Sequence, residues 1–70
     1  MEIILTAHAA ERMEKRGFLK EEILSSISFP DRILKKHGKH IYQKSLEKGK
    51  LEIVCEQTEK HIKVITVYWI

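Results

Sequence analysis

Two groups of residues in this 70-residue chain carry chemistry. His8, Arg12 and Arg16 follow one another at intervals of four. On a helix that spacing turns His8 and Arg12 nearly the same way, with each further step drifting by about 40°. A histidine moves protons near neutral pH. The planar arginine fork binds two phosphate oxygens at once. The second group is His40, Tyr42 and Lys44, which alternate along one predicted strand face, with Lys35, Lys36 and Lys39 crowded beside them. Lysines there can follow a phosphate backbone, and a tyrosine can stack on a base, provided that this face points away from the helices. Each group also has a structural reading. His8 can order the first helical turn, Arg12 can pair with Glu11 or Glu14 or hold a strand carbonyl, and Arg16 can satisfy the helix C-terminus. Tyr42 can equally be a core aromatic with its hydroxyl at the rim.

The rest of the sequence weighs against other chemistries. His37 and His40 are three apart with Cys55 and His61 downstream, which is not the paired spacing of a zinc site. Cys55 is in phase with Leu51 and Ile53 and reads as a buried thiol. Glu11 and Glu14 have no second acidic pair to meet, as two-metal nuclease chemistry would need. The three glycines are isolated, so there is no phosphate-cradling loop and no nucleotide cofactor is expected. The second helical segment mixes Lys20 with Glu21, Glu22 and serines, a poor DNA-reading helix. No cofactor and no metal are therefore expected.

Charge sharpens the picture. The net charge is +3, yet residues 31–50 hold seven Lys/Arg against Asp31 and Glu47, for +5, while residues 1–30 and 51–70 each come to −1. A local basic patch attracts polyanions, or is simply a solvated lysine face. A lone cysteine excludes an internal disulfide, and small secreted domains usually need several. The first residues form neither a signal peptide nor a spanning segment. A cytoplasmic protein with no membrane partner is expected.

These residues must be positioned by a small scaffold. Seventy residues make one domain, 1–70, which buries only about 60% of its unfolded surface. Residues 2–5 read as a weak edge strand. Thr6 is the N-cap of a helix over 7–16, with Ala9, Ala10 and Met13 as its apolar stripe and Gly17 as its left-handed stop. A second helix spans 20–28 with Ile23, Leu24 and Ile27 inward, and Phe29-Pro30 ends it. Strands follow over 31–36 and 39–46, joined by a His37-Gly38 turn, then from Leu51 and over 61–70. Strict alternation puts Ile62, Val64, Tyr68 and Ile70 on one face of the last strand and Ile65, Val67 and Trp69 on the other. A strand apolar on both faces is central. The expected fold is α+β: two N-terminal helices on a four-stranded antiparallel sheet, with a short N-terminal edge strand. The second face of the sheet is left partly open, for a groove, a homodimer contact or a partner.

The run Thr6-Ala7-His8-Ala9-Ala10-Glu11-Arg12-Met13-Glu14-Lys15-Arg16-Gly17-Phe18 resembles the opening motif of the DUF4258 family, Thr-x-His-Ala-x-x-Arg-Met-x-x-Arg-Gly. The likeness continues through Glu21-Glu22-Ile23 and Phe29-Pro30-Asp31 to Val64-Ile65-Thr66-Val67-Tyr68-Trp69. Where family members often carry serine before the second helix, this chain has Leu19, expected to pack as an apolar staple in place of the missing cap. The family's fold is similar to that of RelE/ParE-type toxins and related metal-independent ribonucleases. The resemblance therefore implies a toxin-like ribonuclease acting on RNA, partnered by an antitoxin-like protein; its warrant for function is associational. In that reading His8 or His40 takes the proton of a ribose 2′-OH, the oxygen attacks phosphorus, and Arg12 and Arg16, helped by Lys44, neutralise the phosphoryl oxygens. The alternative is a non-catalytic module that holds RNA on Lys35, Lys36, Lys39, Tyr42 and Lys44, or holds a protein.

Overall fold

A computed structural model describes residues 2–70. The order of elements is β1 (Glu2–Leu5), α1 (Ala7–Lys15), α2 (Lys20–Ser28), β2 (Arg32–Lys36), β3 (Lys39–Leu46), β4 (Gly49–Gln57) and β5 (His61–Trp69). The strands form one sheet in the order β1-β5-β4-β3-β2. Strands β2 to β5 are joined antiparallel, and β1 adds to the far side of β5 in parallel, so the sheet is mixed. Both helices lie on one face, α1 against β5 and β1, α2 against β3.

Local signals account for the helix ends. The Thr6 side chain accepts the Ala9 N–H at 3.0 Å, which satisfies one of the orphan donors of the first turn. At the other end Gly17, at φ +75°, closes a Schellman turn: Phe18 N–H donates to the Met13 carbonyl and Gly17 N–H to that of Glu14. Arg16 is the cap residue rather than the last helical one. The α2 start differs from expectation. Leu19 is 57% exposed and staples nothing. Glu22 reaches back instead, its Oε1 accepting the Leu19 N–H at 2.8 Å. That is half of a capping box; leucine has no polar atom for the reciprocal bond.

The core lies between helices and sheet. Ala9, Phe18, Ile23, Ile27, Tyr42, Leu51, Ile53, Cys55, Val64 and Val67 are buried together. The inward face of α2 is Ile23, Ser26 and Ile27, with Leu24 half-buried. The Ser26 hydroxyl is buried without penalty because it donates to the Glu22 carbonyl at 2.6 Å. Burial of Cys55 pushes its thiol up to about 12. At the β2–β3 turn His37 and Gly38 both adopt positive φ, 52° and 75°, the hand that matches a two-residue hairpin between twisted strands.

The last strand departs from strict alternation. Thr66 pairs with Val54, but Cys55 pairs with Val64, so Ile65 is an extra residue in a β-bulge. The bulge reverses the phase after it. Ile62, Val64, Val67 and Trp69 all pack toward the helices, while Tyr68, expected with Ile62 and Val64, turns to the opposite face beside Glu52.

Two carboxylates tie the helix layer and the hairpin edge together. Asp31 is held below its ordinary pKa chiefly by the Ser45 N–H, which donates to Oδ2 at 2.8 Å, with Lys44 assisting against partial desolvation. Glu22 is lowered chiefly by the Leu19 N–H, opposed by desolvation and aided by Lys48. Depressed carboxylates contribute stability above the unfolded pKa, near pH 4, and lose it as pH falls through the folded value. Denaturant unfolding should therefore show lower stability at pH 3 than at pH 7. The double variant Asp31→Asn/Glu22→Gln should be weaker at pH 7 and show a smaller difference between the two pH values.

Candidate functional site

The α1 helix is pinned over the β5 bulge. Thr6 N–H donates to the Val64 carbonyl at 3.2 Å, and the Thr6 hydroxyl donates to that of Ile65 at 3.3 Å. At the far end Arg16 Nη1 donates to the Val67 carbonyl at 2.8 Å, and Trp69 Nε1 donates back to the Arg16 carbonyl at 3.0 Å. The Trp69 indole packs on Phe18 with ring centroids 4.1 Å apart. Gly49 lies beneath it, where an added Cβ would come within 3.2 Å of the Trp69 ring.

This anchoring decides where the candidate residues sit. His8 is exposed in the first turn and Arg12, one turn on, is half-buried. Glu11 pairs with Lys15 at 3.1 Å, and Arg12 has no carboxylate partner among the described residues. Arg16 takes the strand-carbonyl role. His40 lies on the same face of the sheet: it is opposite Cys55 on β4, which is opposite Val64 on β5, the strand residue that receives the α1 N-terminus. The start of α1 and His40 are thus at one level along the strands. The strand positions beneath them are two strand spacings apart, about 10 Å. His40 is half-buried, and its Nδ1 is sealed without a hydrogen-bond partner. Such an unpaired buried ring nitrogen is a costly feature. Lys35 stands directly across from His40 on β2.

The remaining candidates divide. Tyr42 is 5% exposed in the core, its phenol pushed up chiefly by burial and further by Cys55, so base stacking is closed to it. RNA binding on this strand face required that it point away from the helices, and it points toward them, with Tyr42 in its core-aromatic role. Lys44 shares that face but is tied to Asp31 at 3.4 Å. Lys36 and Lys39 are on the opposite face, where Lys39 pairs with Glu56 at 3.3 Å. The basic residues of the middle segment therefore do not form one surface. Among the described residues there is no enclosed pocket and no cluster of three or more His, Cys, Asp or Glu able to hold a metal. Among the described residues, no helix is long and apolar enough to cross a membrane.

Sequence reasoning missed a polar network on the open face. Glu52 accepts from Gln43 Nε2 at 2.7 Å and from the Tyr68 hydroxyl. The Glu52 hydrogen bond and burial push the Tyr68 phenol up to about 12. Residues 43, 52 and 68 lie on three strands, and only the register brings them side by side.

The geometry separates structural from available residues. Arg16→Ala should cost about 1–2 kcal/mol of stability through its lost strand bond, read as a lower unfolding midpoint. His8→Ala and Arg12→Ala should stay within about 0.5 kcal/mol of wild type, as surface changes do.

Comparison with known proteins agrees with the N-terminal motif. Searches of the curated proteins and of the solved structures each returned no match. The family model described as "Domain of unknown function (DUF4258)" matches residues 5–69, from the end of β1 to the last residue of β5. The chain belongs to the DUF4258 family.

Proposed function

We propose that this chain is a toxin-like, metal-independent endoribonuclease, with His8 and His40 as its proton-transfer pair. The observation that supports the reading is the level that His40 shares with the start of α1, the helix that carries His8 and Arg12, with Lys35 beside His40. One imidazole removes the proton of the ribose 2′-OH. The O2′–P bond forms as the P–O5′ bond breaks, and the other imidazole, protonated, delivers its proton to the leaving 5′-oxygen. The products are a 2′,3′-cyclic phosphate and a 5′-hydroxyl. Charge on the phosphoryl oxygens falls to Arg12 and Lys35, because Arg16 is bound to Val67 and Lys44 to Asp31. The likeness to RelE/ParE-type toxins is a fold-level analogy, as is the antitoxin-like partner it implies.

The second reading is RNA binding without cleavage. It is favoured by Lys35 and Lys36, which are exposed and form no ion pair among the described residues, since binding needs only accessible positive charge.

Labelled RNA incubated with EDTA separates the two. Cleavage by wild type giving cyclic-phosphate ends, lost in His8→Ala/Arg12→Ala and in His40→Ala, supports the enzyme. Equal cleavage by wild type and the variants removes these residues from the reaction. Intact RNA bound with a steep salt dependence, and no cleavage by any form, leaves the binding module.

A further inference from the structure

Strand β2 ends the sheet, and one side of its backbone has no neighbouring strand. Its five residues, Arg32-Ile33-Leu34-Lys35-Lys36, carry three cations and no anion. One strand inward, the lysines are neutralised: Lys39 by Glu56 and Lys44 by Asp31. Arg32, Lys35 and Lys36 form no ion pair among the described residues. Apolar surface accompanies this charge. Ile33 is 50% exposed, and Phe29, just before the strand, is 74% exposed. Register puts Ile33 and Lys35 on the helix face and Arg32, Leu34 and Lys36 on the other, so both faces of the edge alternate apolar with positive.

We infer that the outer edge of β2 receives an extended acidic segment of a partner protein as a sixth strand. Main-chain hydrogen bonds supply affinity in such strand addition, and side chains on alternate faces supply the choice of partner. The charge selects the occupant. A second copy pairing β2 to β2 would set Arg32, Lys35 and Lys36 against themselves, the arrangement by which edge lysines prevent self-association. A nucleic acid would meet the cations and stack a base on Phe29, but it makes no use of a free strand backbone. A peptide in which pairs of carboxylates alternate with pairs of apolar side chains puts both kinds on each face, as β2 does, and matches all three features. The opposite edge of the sheet does not: β1 is Glu2-Ile3-Ile4-Leu5, without a cation, and its Glu2 already pairs with His61 at 3.3 Å. The inference is independent of RNA cleavage.

The test titrates the isotope-labelled full chain with the blocked peptide acetyl-Glu-Glu-Val-Val-Glu-Glu-amide. Amide shifts should concentrate in residues 32–36, and hydrogen exchange there should slow. Methylating alternate peptide nitrogens should abolish both effects, because the added strand then cannot donate. Lys35→Glu/Lys36→Glu, with unchanged circular dichroism, should also abolish them. The inference is overturned if the methylated peptide binds as tightly, since plain charge attraction would then suffice. It is likewise overturned if oligouridylate shifts these amides and the peptide does not, or if millimolar peptide shifts none of them.

Discussion

A nine-residue helix does not hold itself together in water, and α1 persists because both of its ends are fastened to β5. Thr6 joins the Val64 and Ile65 carbonyls at the start, and at the far end Arg16 donates to the Val67 carbonyl while Trp69 donates to the Arg16 carbonyl. The fastening spans the bulge at Ile65, where the strand's phase reverses. Without that reversal Val67 and Trp69 would face away from the helix, and the Phe18–Trp69 packing would have no partner. The height and rotation of α1, and with them the placement of His8 and Arg12, follow from this one junction.

The same junction sorts the two arginines of the helix. Arg16 points at the sheet and gives a donor to a strand carbonyl, so its charge is committed to the fold. Arg12 is one turn earlier and carries no such bond. A helical spacing that looked like one phosphate-binding row is split between holding the structure and meeting a ligand.

Charge on the sheet follows an equally simple division. On β3, Lys39 meets Glu56 of the neighbouring strand and Lys44 meets Asp31 just before β2. The terminal strand β2 has a neighbour on one side only, and its cations stay unpaired. On the open face, Glu52 serves as a shared acceptor for Gln43 and Tyr68. Of the four cations of residues 31–50 without an ion pair among the described residues, three lie on the edge strand β2 and the fourth is Lys50 on β4.

What the sequence alone determined is local. Thr6 as cap, Gly17 as stop, Pro30 as breaker and His37-Gly38 as a tight turn act on backbone within a few residues of themselves, and each element they bound was legible. The Thr6-to-Phe18 motif likewise carried the family. Tertiary structure decided everything that depends on register. Strict alternation cannot foresee the extra residue at Ile65, so the faces of β5 came out in the wrong phase. The direction faced by Tyr42 and His40, the split of the lysines between two faces, and the Gln43–Glu52–Tyr68 network all require knowing which strand lies beside which. Those pairings join residues far apart in the chain, and they are set by how the apolar faces of helices and sheet pack together, a balance that no short window of sequence contains.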